Sequence, residues 1–146
     1  MEPSNIDYQG FNQLTNEVEK YRNTRLIDVY EFNKMLKEPN TILLDTRSRA
    51  AFETRHIKGA VHLNFSDFTE GKLAKVIPSK ETRILIYCNN NFSGDVTAFA
   101  SKMAPLALNI PTFINLYGYG YKNIYELKDL LVVGESAEKA GVVFND

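Results

Sequence analysis

Two segments of this chain are apolar at nearly every successive position: Thr41-Ile42-Leu43-Leu44-Asp45-Thr46 and Arg83-Ile84-Leu85-Ile86-Tyr87-Cys88. A strand with one wet face alternates polar and apolar residues, whereas short continuous apolar runs read as strands covered on both faces. Segments with helical spacing surround them. Phe11, Leu14, Val18 and Tyr21 predict an amphipathic N-terminal helix ending near Asn23-Thr24, and Phe32, Met35 and Leu36 predict a helix stopped by Pro39-Asn40. Ser48 is placed to cap a short helix from about Arg49 to Arg55, and one further short helix is expected within 66–81. Leu26 to Val29, Val61 to Asn64 and Thr112 to Tyr117 read as the remaining strands, and Tyr121, Ile124, Tyr125, Leu127, Leu130 and Leu131 mark a closing helix. Strands alternating with helices over short connections predict an α/β fold with a parallel sheet and helices on both faces.

The chain has 146 residues, 44% of them hydrophobic, which suits one domain with a real core. Its formal charge of −1 comes from interspersed acids and bases without a basic stripe, so no nucleic acid or acidic membrane surface is indicated. One cysteine excludes an internal disulfide or a CxxC pair, and with two histidines it leaves no credible metal-ligand set. Neither a metal nor another cofactor is expected. No apolar run is long enough for a membrane span, and Met1-Glu2-Pro3-Ser4 does not begin a charged-then-apolar leader. The compartment stays open: cytoplasmic if Met1 is the native start, exported or periplasmic if a signal peptide has been trimmed.

The single cysteine carries the strongest chemical signal. Cys88 ends the second buried run and opens the polar loop Asn89-Asn90-Asn91-Phe92-Ser93-Gly94. Beyond it Val96, Phe99, Ala100 and Met103 recur at helical spacing, which predicts a helix directly after the loop. Open α/β sheets bind ligands at that edge, and loop amides with a helix N-terminus lower a thiol's pKa and welcome anions. The expectation is a thiolate nucleophile in an amide cradle; an inert buried thiol is the alternative. Ser93 suits a helix cap as well as a site residue. Asp45 and Arg47 share the sheet edge with Cys88, either as a structural ion pair or with Arg47 facing a substrate. His56 is expected to hold a turn. Asp95, at the start of the expected helix, opposes a second anion and tends to raise the Cys88 pKa.

Taken together these motifs resemble the rhodanese-like sulfurtransferase domains. Leu43-Leu44-Asp45-Thr46-Arg47, Phe52 and His56-Ile57-Lys58-Gly59-Ala60 are similar to the family's first signature, Tyr87-Cys88 with its loop to the second, and Leu116-Tyr117-Gly118-Tyr119-Gly120 to the glycine-rich third. The resemblance covers residues 25–131, with 1–24 as an N-terminal helical extension packed on the domain and 132–146 as a weakly patterned tail. It implies a five-stranded parallel sheet flanked by helices, and a persulfide formed on Cys88. Sulfur would come from thiosulfate or a persulfide donor and pass to cyanide or to a thiol acceptor, small or on a protein. The loop lacks Lys and Arg, which makes thiosulfate a poor donor and leaves a non-catalytic binding or sensing module as the competing reading. Related cysteine phosphatases need an arginine six residues after the cysteine, where this chain has Gly94.

Overall fold

The computed structural model describes residues 1–145. Helix α1 (Tyr8–Asn23) leads into β1 (Leu26–Ile27), α2 (Val29–Leu36), β2 (Thr41–Asp45), α3 (Arg49–Thr54) and β3 (Val61–His62). Then come α4 (Glu70–Val76), β4 (Arg83–Tyr87), β5 (Phe92–Ser93), α5 (Asn109–Gly118), β6 (Ile124–Leu127), β7 (Leu131–Val132) and α6 (Ser136–Lys139). Five strands form one parallel sheet in the order β1-β6-β4-β2-β3, while β5 and β7 make a separate parallel pair.

The two apolar runs pair with each other in the middle of the sheet, Ile42 with Ile84 and Leu44 with Ile86. Alternate side chains feed opposite layers. Ile84 and Ile86 pack with Val18 of α1, Leu73 of α4 and Phe113 and Leu116 of α5. Leu85 and Tyr87 pack with Phe32 of α2, Phe92 of β5 and Ala137 of α6. Burial on both faces is why these strands read as continuous runs. The expected cap at Ser48 forms, its Oγ accepting from the Ala51 N–H at 3.1 Å, and the structure adds one at Thr69, whose Oγ1 accepts from the Lys72 N–H at 3.2 Å. Beyond β7, Val142 and Phe144 are buried, and Ile57 bridges antiparallel to Phe144.

Three elements differ from the sequence expectation. Residues Thr112 to Tyr117 are helical, within α5, instead of forming the last strand. Pro111 falls in the first turn, where its missing N–H costs no helical bond. The helix packs on both β6 and α1, burying Thr112, Phe113, Ile114 and Leu116 and leaving little polar face to reveal a helical period. The expected closing helix is instead β6 and β7, so the fifth strand of the sheet lies at Ile124–Leu127. Tyr121, Ile124 and Leu127 happen to recur every third residue, which mimics a helix.

The third difference bears on the site. No α-helix follows the loop: a single 3-10 turn spans Asn89–Asn91 immediately after Cys88, and residues 94–103 contain one helical hydrogen bond, from Phe99 N–H to Asp95 O at 2.8 Å. The groups that would extend it are diverted. Ala98 O accepts from Arg47 Nη1 at 2.6 Å, and Lys102 N–H donates to Asn90 Oδ1 at 2.9 Å, so the Lys102-to-Ala98 helical bond does not form. Pairing of Phe92 and Ser93 with Leu131 and Val132 pulls the chain away from the sheet edge. Gly94 continues that excursion at φ +87°, where an added Cβ would lie 3.2 Å from Val132 Cγ1.

Candidate functional site

Cys88 stands at the carboxyl end of β4 with 1% of its surface exposed. The backbone amides of Asn90, at the start of the loop, and of Leu108 and Asn109, where α5 begins, act on its sulfur to favour the ionised form. The amide cradle is therefore made of two chain segments, and the helix whose N-terminus meets the thiol is α5. A thiolate there gains from the amides and from the positive end of the helix.

The balance nevertheless goes against ionisation. Burial raises the Cys88 pKa most strongly, the Asn90 and Asn109 amides lower it, the Glu126 carboxylate raises it and the Leu108 amide lowers it; the net shift is upward. This corrects the expectation of a lowered thiol pKa: at this depth desolvation outweighs the amides. The neighbouring carboxylate is also a different one. Asp95 pairs with Arg55 at 3.4 Å and accepts from the Ala98 N–H at 3.1 Å, whereas Glu126, from β6, acts on the thiol.

Asn91 locks the loop. Its Oδ1 accepts from the Cys88 N–H at 2.9 Å and from Asn109 Nδ2 at 3.0 Å, and its Nδ2 donates to Leu127 O and Asp129 O, each at 2.9 Å. One carboxamide thereby joins the ends of β4 and β6 to the start of α5. Asn90 secures the excursion through a reciprocal pair with Lys102, Nδ2 donating to Lys102 O at 2.9 Å. Asn89 lies on the other side of the loop, in a separate cavity with Thr46, Ser48 and Asn64. Phe92, Ser93 and Gly94 do not line the cavity at Cys88. Phe92 is a core residue, edge-on to Tyr87 at 5.9 Å, and Ser93 pairs with Val132.

Asp45 and Arg47 form a structural pair. Arg47 Nη2 lies 2.8 Å from Asp45 Oδ2 with both side chains wholly buried, and its remaining reach goes to Ala98 O and, at 2.7 Å, Arg55 O. Tyr87 donates to Asp45 and accepts from the Ile57 N–H at 3.0 Å, while desolvation holds the phenol's pKa well above its usual value. Arg47 thus has no free face toward a substrate. His56 holds its turn, with Nδ1 2.7 Å from Phe52 O and its ring stacked on Phe52 at 3.8 Å.

The cavity at Cys88, about 250 Å³, is walled by Asn90, Asn109 and Ala107 and carries three charged residues, Arg22, Glu126 and Lys128. Arg22 closes α1 and grips Glu126 through Nε at 2.8 Å and through Nη2. Sequence reasoning looked for a cation in the loop and missed this one, which comes from the other end of the chain. The available signals were a lone acid inside Ile124-Tyr125-Glu126-Leu127 and an arginine in the last turn of the first helix. Among the described residues no group of three or more His, Cys, Asp or Glu could hold a metal, and no helix is long and apolar enough to cross a membrane.

A model of the rhodanese-like domain matches residues 28–129 of this chain. No match was found among curated proteins. Among solved structures, the rhodanese-like domain of the Alr3790 protein from Anabaena sp. is similar, with 20% identity, a TM-score of 0.56 and coverage of 83% of this chain and 78% of that one. The BH2092 protein from Bacillus halodurans is similar at 19% identity and a TM-score of 0.52, covering 80% of this chain and 74% of that one. A thiosulfate sulfurtransferase from Pseudomonas aeruginosa gives 18% identity and a TM-score of 0.57 over 92% of this chain, but only 22% of that longer protein. At these identities the likeness is one of fold. Arg22 lies outside the family match, whereas Cys88 and Glu126 lie within it.

Proposed function

Because the chain belongs to the rhodanese-like domain family, we propose that it is a sulfurtransferase carrying sulfane sulfur as a persulfide on Cys88. The observation that carries this reading is the convergence of the Asn90, Leu108 and Asn109 amides on the Cys88 sulfur beside a cavity. Donors in that arrangement stabilise an anionic sulfur without a metal or a second cysteine. The thiolate attacks the outer sulfur of a small donor, the donor's bond to that sulfur breaks, and a persulfide remains on Cys88. A thiol acceptor, small or on a protein, then takes the outer sulfur and restores the thiolate.

Deep burial of the thiol and its raised pKa favour the second reading, a non-catalytic binding or sensing module. Intact-mass measurement separates the two. The reduced protein, incubated with thiosulfate or with a small hydropersulfide, should gain one sulfur atom that is lost on adding cyanide or a thiol, and Cys88→Ser should gain none. If neither donor adds sulfur to the wild-type chain, sulfur transfer is wrong and the binding module stands.

A further inference from the structure

We propose that the Arg22–Glu126 pair is a charge filter that selects the sulfur donor at Cys88: the site takes a low-molecular-weight organic hydropersulfide and disfavours the thiosulfate dianion. This rests on the sulfurtransferase reading above.

Arg22 is the cation set deepest in the cavity wall, its side chain 29% exposed, whereas Lys128 is a surface residue. Its guanidinium is already committed. Nε and Nη2 bond to Glu126, whose side chain is only 5% exposed, so water screens that carboxylate little. The Arg22 pKa is raised, chiefly by this hydrogen bonding to Glu126 and partly by attraction to Cys88, so it stays charged; Glu126 in turn opposes negative charge at Cys88. The pair therefore brings to the cavity a guanidinium whose charge is offset by an adjacent buried carboxylate.

Charge counting then discriminates between donors. Attack on thiosulfate follows Cys88–S⁻ + S–SO₃²⁻ → Cys88–S–S⁻ + SO₃²⁻, which gathers three negative charges beside Glu126. Attack on a hydropersulfide follows Cys88–S⁻ + R–S–SH → Cys88–S–SH + R–S⁻, with one negative charge on each side. The sulfur–sulfur bond of the donor breaks, the new one forms at Cys88, and no external oxidant or reductant is needed. A half-neutralised cation suits the second reaction.

The position of the pair is fixed by packing. Asp7 caps α1 by accepting from the Gly10 N–H at 2.9 Å, Val18 is buried, and Tyr21 meets Phe113 of α5 edge-on at 6.2 Å. Leu14 Cδ2 would lie 3.0 Å from a Cβ added at Gly118, so the helices approach too closely there for a larger residue without adjustment. The helical extension thus delivers a side chain to the cavity that the domain's own loop lacks.

Initial rates of sulfur gain at Cys88, followed by intact mass with thiosulfate and with cysteine hydropersulfide, test this on the full chain. Wild type should load faster from the hydropersulfide. Glu126→Gln keeps a hydrogen-bond acceptor for Arg22 but removes the charge, and should raise the thiosulfate-to-hydropersulfide rate ratio about tenfold. Arg22→Gln should move that ratio down, and Arg22→Lys should restore part of it; a purely structural pair would lower both rates in proportion. Should Glu126→Gln fold poorly, matched alkyl hydropersulfides with ammonium, neutral or carboxylate tails on the wild-type chain give the second measure, with rates falling as negative charge is added. A ratio unchanged in both charge variants, or wild-type rates indifferent to tail charge, overturns the filter while leaving sulfur transfer intact. No sulfur gain from any donor overturns both.

Discussion

Removing the Asn91 carboxamide should be among the most damaging single changes near Cys88 that leave the chain foldable. Asn91→Ala deletes four hydrogen bonds: two accepted, from Cys88 N–H and Asn109 Nδ2, and two donated, to Leu127 O and Asp129 O. The Cys88 amide and the Leu127 carbonyl are buried, and leaving each unpaired costs about 1–3 kcal/mol. The Asn109 amide and the Asp129 carbonyl can find other partners, so each adds about 0.5–1 kcal/mol. The sum centres on about 5 kcal/mol, toward the lower end of a typical domain's total stability, and corresponds to roughly 10–20 °C in Tm. Urea unfolding followed by circular dichroism, with the m-value checked for constancy, measures it. Asn91→Asp keeps the volume and the acceptors but sets a carboxylate against the Leu127 and Asp129 carbonyls, so it should destabilise at least as much. It should also slow Cys88 alkylation at neutral pH, because the added charge opposes the thiolate. A loss below about 1 kcal/mol for both variants would refute the view that one carboxamide holds β4, β6 and α5 together.

Other consequences are open to simpler checks. Arg47→Lys cannot reproduce the contacts to Asp45, Ala98 and Arg55, and should cost about 3–5 kcal/mol in urea unfolding while sulfur gain per folded molecule is retained. Gly94→Ala combines a φ of +87° with a Cβ 3.2 Å from Val132 Cγ1, and should lower stability by about 1–2 kcal/mol through the β5–β7 pair. Because the Cys88 pKa is raised on folding, the native state binds more protons between the unfolded and folded values, so its contribution to stability is full below the unfolded value and lost as pH climbs through the folded one. The stability difference between wild type and Cys88→Ala should therefore shrink above about pH 8.5. Iodoacetamide should modify Cys88 with an apparent pKa above that of a free thiol, in a cavity whose charged groups are Arg22, Glu126 and Lys128.

Fold class was legible where burial and sequence period agree. β2 and β4 are covered on both faces, and their continuous apolar runs say so; Ser48 caps α3 because its hydroxyl is the acceptor that a helix start needs. The last helix and strand were exchanged for one another because α5 is buried on several sides and β6 carries a threefold coincidence of apolar residues. Neither pattern contains the tertiary cause. Cys88 and its place at the sheet edge could be read directly, since both follow from local sequence. Leu108, Asn109, Arg22 and Glu126 reach the thiol only through packing. The expected low pKa failed for the same reason: the sequence reveals the amides near a loop, whereas the depth of burial that outweighs them belongs to the finished fold.

That two of the three amides on the Cys88 sulfur come from beyond the β5 excursion makes the thiol a reporter of the chain's own opening. A maleimide reagent too bulky for a cavity of about 250 Å³ reaches Cys88 when a wall of that cavity, such as the segment carrying Ala104 and Ala107, lifts away. When reclosing is fast, the labelling rate equals the rate at a free thiol multiplied by the open fraction, so the ratio of the two rates gives the free energy of that local opening. The single cysteine supplies this clock without any engineered probe.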